Sequence, residues 1–203
     1  MYSKDDGATW KVAEGLAPAS SGEDNIVELS PGVIFMNARG GNARPCFITK
    51  DMGKTWENHE MSGKIGNGGV GCQGSSTKIS IDGKEIFLHS SPINNSGDYS
   101  RDSITLYASY DWKNYDKIRV YYPPQGDYAG AGYSCLAPAV IDGQLCLFSL
   151  YERQGNIAFR NLGIDLQIIA DRSREFFKRD DRDFEVNKNS LVKMLEKFSS
   201  SEL

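Results

Sequence analysis

Up to about residue 164, short apolar runs alternate with turn signals, the pattern of β-strands. The runs fall in triplets. The first covers 25–29, 32–39 and 45–48, with turns marked by Pro31-Gly32 and Gly40-Gly41-Asn42. The second covers 77–81, 85–90 and 104–108, with Asp82-Gly83 as a tight hairpin turn, and 118–122 supplies an outer strand. The third covers 136–141, 145–151 and 156–159, with Asp142-Gly143 at its first turn. From about Asp165 the character changes. Residues 171–183 are dense in both charge signs and read as a solvated helix or linker, and Leu191, Met194, Leu195 and Phe198 recur at the spacing of a short docking helix. The division expected is an all-β unit over 1–164 and a charged linker with a short helical tail over 165–203.

An octapeptide recurs in step with the triplets. Ser3-Lys4-Asp5-Asp6-Gly7-Ala8-Thr9-Trp10 is repeated as Thr49-Lys50-Asp51-Met52-Gly53-Lys54-Thr55-Trp56, forty-six residues on. A worn copy stands at Ser109-Tyr110-Asp111-Trp112-Lys113, without the glycine and with its Trp moved forward. A period of about 40–50 residues is that of propeller and other repeat architectures. The spelling is that of a turn. The Asp accepts hydrogen bonds from its own backbone, the Gly allows positive φ, and the Trp seeks burial between neighbouring units. These segments resemble the Asp-box, or bacterial neuraminidase repeat, of the sialidase family. The resemblance implies an all-β fold, a β-propeller of the six-bladed sialidase type, with about three blades present.

Composition narrows the function. The chain is 39% hydrophobic and 25% charged, enough to bury a core. A net charge of -4 offers no basic footprint for nucleic acid. No apolar stretch has the length of a membrane span, and the first residues show no signal-peptide core. The localisation is therefore not written in this chain; the resemblance implies an extracellular, periplasmic or lysosomal setting. Cys46, Cys72, Cys135 and Cys146 form no Cys-x-x-Cys pair, and His59 and His89 stand apart, so no zinc site is expected, and the resemblance implies no cofactor. Cys46 and Cys146 lie in apolar runs and read as buried thiols.

Candidate chemistry begins with two arginines. Arg44 and Arg101 precede corresponding strands of successive triplets, so both point toward the same end of a propeller. Two guanidiniums there could clamp a carboxylate through their planar forks. Each taken alone is more often a surface ion pair. The order of residues from about Ser3 to about Leu162 then resembles the exo-sialidases. Gly132-Tyr133-Ser134-Cys135-Leu136, followed by Leu150-Tyr151-Glu152 and Ile157-Ala158-Phe159, is similar to their nucleophile region. Glu28, with Arg44 sixteen residues later and Asn37-Ala38-Arg39 between, resembles the family's Glu and second triad arginine. Arg101 resembles the third arginine, and Gly71-Cys72-Gln73-Gly74-Ser75 a segment near the substrate pocket.

The resemblance implies a retaining exo-α-sialidase acting on sialylated glycoproteins, glycolipids or oligosaccharides. Tyr133 would be the nucleophile, Glu28 its base, and Arg44 and Arg101 the carboxylate clamp. Glu152, Arg39 and Gln73 would support them. A neutral phenol suits a substrate whose anomeric carbon already bears a carboxylate, which would repel an Asp or Glu nucleophile. In the family Glu152's counterpart orients the first triad arginine, within an Arg-Ile-Pro motif; that motif and the Asp acid/base have no counterpart in this sequence. The expectation is a catalytic domain missing the N-terminal half of its propeller. The alternative is a non-catalytic sialic acid-binding propeller module.

Overall fold

The computed structural model describes residues 1–18, 22–41, 43–66, 71–93, 101, 103–122 and 130–179. Within them, three antiparallel sheets follow one another along the chain. The first is β1 (Asn25–Ser30), β2 (Val33–Asn37), β3 (Cys46–Thr49) and β4 (Glu57–Asn58). The second is β5 (Ser75–Ile81), β6 (Lys84–Ile93), β7 (Ser103–Ser109) and β8 (Asp116–Tyr122). The third is β9 (Ala131–Ile141), β10 (Gln144–Arg153) and β11 (Asn156–Asn161). The expected strands all lie on these elements, and the architecture is a partial β-propeller of the sialidase type.

Each sheet is a meander, and β1, β5 and β9 stand side by side as the inner strands. This connectivity gives every sheet two functionally different ends. The start of a first strand, the end of a second and the start of a third lie together. The end of a third strand, where the octapeptides follow, lies at the opposite end.

Apolar side chains weld the sheets face to face. Val27, Phe35, Cys46 and Met61 meet Phe87 of the second sheet, where Phe35 and Phe87 lie edge to face at 5.2 Å. Ile104, Leu106 and Tyr121 of the second sheet share a cluster with Leu136, Leu147 and Tyr151 of the third. Aromatic pairs in offset or edge geometry add to this burial.

The octapeptide turns are built as their spelling requires. Asp51 Oδ1 accepts from the N–H groups of Lys54 and Thr55, and its Oδ2 accepts from the Thr55 hydroxyl at 2.6 Å. The Thr55 hydroxyl is the largest cause that holds the Asp51 carboxyl down at about 2. Met52 and Gly53 turn the chain with φ of 59° and 84°. Asp5, Asp6, Gly7 and Thr9 repeat this arrangement, but Trp10 remains 63% exposed rather than buried. The worn copy differs as a turn. Trp112 itself takes positive φ, Asn114 replaces the threonine on Asp111, and the indole packs against Phe35 and Phe87.

A helix, α1, covers 163–179; of the solvated helix or linker expected over part of that stretch it is the helix, with one face packed on the sheets rather than solvated. Asn161 Oδ1 caps it by accepting from Gly163 N at 2.9 Å. Leu166, Ile169, Ala170 and Phe176 sit on one face and join the core of the second and third sheets. Asp165, fully buried in the first turn, accepts both Nε and Nη2 of Arg119 at 2.5 Å. The expected helix around Leu191, Met194, Leu195 and Phe198 lies outside the described residues. No disulfide joins the four cysteines; Cys46 is buried, whereas Cys146 is only half-buried.

Candidate active site

The end of the sheets away from the octapeptides gathers the chemistry. Glu23 stands just before β1, Arg39 just after β2, Arg101 just before β7, and Tyr133 near the start of β9. The Tyr133 hydroxyl donates to Glu23 Oε1, across 110 residues of sequence. The other carboxylate oxygen of Glu23 accepts from Arg39 Nη1 at 2.5 Å. Glu23 holds this position with φ of 56°, a left-handed conformation uncommon for a non-glycine residue. Arg101 is anchored by donating Nη2 to the Gly71 carbonyl at 3.0 Å, and its charge reaches both Glu23 and Cys72.

The electrostatics follow from these contacts. The hydrogen bond from Tyr133, then the pairing with Arg39, holds the Glu23 carboxyl below the ordinary carboxylate range. The same hydrogen bond, given up only if the phenol ionises, holds the Tyr133 hydroxyl above its usual 10. Tyr133 is 38% exposed, so a reactant can approach its oxygen. The pair is thus a protonated phenol against an ionised carboxylate within hydrogen-bonding reach. A nucleophile and its base need that arrangement.

Two expected members of the site lie elsewhere. Glu28 is on β1 close to its far turn, where Oε1 accepts from Gly32 N at 3.0 Å. At about 3.3 Å per strand residue, five residues from Glu23 carry it on the order of 16 Å toward the other end of the sheet. The expected pairing of Glu28 with Tyr133 is therefore corrected to Glu23. Arg44 precedes β3 at the right end, but it is fully buried. Its Nη1 donates to the Cys72 carbonyl at 2.8 Å and its Nε to Asn37 Oδ1, so it ties the first sheet to the segment before β5. Burial lowers the guanidinium's affinity for its proton. Arg39, expected only in a supporting place, is the arginine that reaches Glu23.

Two further residues hold Tyr133 through its backbone. Glu152 Oε2 accepts from Tyr133 N, and Gln73 Oε1 from Ser134 N, both at 3.0 Å. Behind them a polar seam joins the second and third sheets. The Ser134 hydroxyl bonds that of Ser90 at 2.8 Å, and Leu136 N donates to Ser75 Oγ at 2.8 Å. Sequence reasoning missed Glu23. The signal that could have found it is its place immediately before a first strand, the same end as Tyr133.

Comparison with known proteins adds the following. Residues 1–123 match the family described as BNR repeat-like domain. A sialidase of Paraclostridium sordellii is 40% identical over 171 residues, covering 80% of this chain and 41% of that protein. A sialidase of Clostridium perfringens is 37% identical over 170 residues, covering 80% of this chain and 43% of that protein. The solved structure of Trypanosoma rangeli sialidase in complex with sialic acid superposes with a TM-score of 0.76 at 30% identity, covering 89% of this chain and 29% of that one. The chain thus spans about two-fifths of the length of these bacterial relatives.

Proposed function

The chain belongs to the BNR-repeat sialidase family, and from that premise we propose that it carries the nucleophile side of a retaining exo-α-sialidase site. Tyr133 attacks the anomeric carbon, Glu23 takes the phenolic proton, and Arg39 and Arg101 receive the substrate carboxylate. The observation that carries this reading is the hydrogen bond from Tyr133 to Glu23, with Arg39 on the second carboxylate oxygen. A phenol titrating above 10 is a weak nucleophile by itself, so a base in contact is what gives it a role. The phenol is also neutral where a carboxylate nucleophile would meet the substrate's own negative charge.

The leaving group needs an acid, a task that the Tyr133–Glu23 pair does not itself supply. We propose that the acid and a further arginine belong to the part of the relatives' length that this chain does not span. A second reading is a module that binds sialic acid without turnover, for which Arg39 and Arg101 at one end of the sheets would serve equally.

Sialic acid release from a sialyl-oligosaccharide distinguishes them. The test combines the 203-residue chain with the portion of the Paraclostridium relative that it does not match. Turnover is expected from the mixture. Glu23→Gln should reduce it by about 10²–10⁴, the usual worth of a general base, and Tyr133→Phe by at least as much. A mixture that binds sialic acid equally well with and without Tyr133→Phe, and never turns over, establishes the binding module instead.

A further inference from the structure

The pairing of β9 with β10 slips beside the proposed nucleophile. Tyr151 faces Ser134 and Arg153 faces Ala131, so Gly132 and Tyr133 together oppose the single residue Glu152. This is a β-bulge, a device that re-aims a side chain and leaves ladder groups unpaired. The N–H of Tyr133, inside the bulge, goes to Glu152 Oε2 at 3.0 Å. The next N–H, that of Ser134, goes to Gln73 Oε1 at 3.0 Å. Two side chains from two other segments therefore satisfy consecutive donors, one inside the bulge and one at its edge.

Gly132 makes room for this. A Cβ there would come 2.0 Å from Glu152 Oε2 and 2.9 Å from Glu152 Cβ. The backbone of Gly132 is not left-handed, so glycine is required by the closeness of the carboxylate and not by the turn itself. Glu152 lies over the bulge only because position 132 has no side chain.

We propose that Glu152 and Gln73 are positioning residues that clamp the bulge and so hold the Tyr133 hydroxyl on Glu23. The family resemblance implies a different task for Glu152, the orientation of an arginine outside this chain; the clamp is a task performed within it. An unpaired N–H at a strand irregularity leaves the strand free to shift. A shift of about 1 Å at a reacting atom is enough to cost on the order of 10²-fold in rate. The polar seam formed by Ser90, Ser134, Ser75 and Leu136 continues the clamp into the second sheet. Tyr133 is thereby tied to β5 and β6 as well as to β10.

The inference rests on Tyr133 and Glu23 acting as a pair, so the experiment is chosen to test each separately. In the full chain, the phenol of Tyr133 is titrated by NMR of ring-labelled tyrosine, assigned by its loss in Tyr133→Phe. The amide proton of Tyr133 is followed in the same samples by its hydrogen exchange. In the unaltered chain the amide should exchange slowly, and the phenol should titrate above 10. Glu152→Leu, which removes the acceptor, should speed that exchange. Glu152→Leu, Gly132→Ala and Gln73→Leu should each shift the phenol titration down toward its ordinary value, with the strand circular dichroism retained.

Glu23→Gln is the control for the underlying pair and should shift the phenol furthest. A phenol unmoved in Glu152→Leu and Gly132→Ala, but moved in Glu23→Gln, overturns the clamp and leaves the pair standing. A phenol unmoved in Glu23→Gln overturns both.

Discussion

At the scale of single residues, the site turns on which arginine faces outward. Arg44 and Arg39 lie five residues apart, yet one is sealed between sheets and the other shares an exposed carboxylate. Arg44→Leu would leave Asn37 Oδ1 and the Cys72 carbonyl without their donor in a dry interior, at about 1–3 kcal/mol for each unsatisfied group. Arg39, whose side chain is 26% exposed, belongs to a pair of the surface kind, worth less than about 1 kcal/mol. Urea unfolding should therefore show a loss of about 2–5 kcal/mol for Arg44→Leu. It should show little change for Arg39→Leu, which should instead weaken binding of sialic acid. The reverse order of stabilities would return Arg44 to the carboxylate clamp. The sequence made this hard to see for a simple reason. Glu23 to Arg39 and Glu28 to Arg44 are both sixteen residues apart, so spacing alone accepts either pair. What separates them is position along a strand. Glu28 falls inside β1 near its far turn, and Glu23 falls just before it. Tyr133, Arg101, Glu152 and Gln73 were legible by their order along the chain, whereas what each touches depends on the bulge and on the stacking of sheets.

At the scale of elements, the octapeptide turn is the part most fully written in the sequence, because the side-chain bonds that shape it are local. Thr49, Asp51, Gly53 and Thr55 satisfy one another within four residues or fewer. Such a turn is readable without knowing what packs around it. Its acid sensitivity follows with a definite sign. Asp51 titrates near 3.8 when unstructured and about 2 when folded. Its contribution to stability is thus complete above about pH 4 and is lost as pH falls through about 2. Asp51→Asn should lower the melting temperature at neutral pH, and the gap from the unaltered chain should close between about pH 4 and pH 2. A gap that persists unchanged at pH 2 would mean that the side chain acts by shape alone, not by accepting hydrogen bonds as an anion. Helix α1 is the opposite case. Its charges are dense enough to read as a solvated segment, yet Leu166, Ile169, Ala170 and Phe176 form a narrow stripe among them. The stripe gains its meaning from the sheet faces it covers, and from Arg119 reaching Asp165 across 46 residues. Tertiary partners of that kind leave no local mark.

At the scale of the whole molecule, sheets cover one another in order, so the last sheet presents an outward face that nothing in this chain covers among the described residues. Leu150, Ile157 and Phe159 on that face are 49%, 70% and 64% exposed, and Phe148 stacks on Phe159 beside them. Their register explains the cluster. Leu150 faces Phe159 across β10 and β11, and Cys135 faces Leu150 across β9 and β10. Alternate residues of the same strands, Leu147, Ser149 and Tyr151, point into the core. The outward set has the apolar character of the surface that Phe35 and Phe87 make between the first two sheets. A contiguous apolar patch of this sort drives association until a partner covers it. The isolated chain is expected to self-associate reversibly, seen as a sedimentation coefficient that rises with concentration. Leu150→Lys with Phe159→Lys should hold it monomeric without altering its circular dichroism, because both side chains point away from the core. The N-terminal portion of a relative should compete with self-association for the unaltered face and fail to engage the doubly substituted one. If the double substitution leaves sedimentation and engagement as they were, the partner blades meet this chain on a different surface. In that event the remaining site residues do not arrive from the side of β9, β10 and β11.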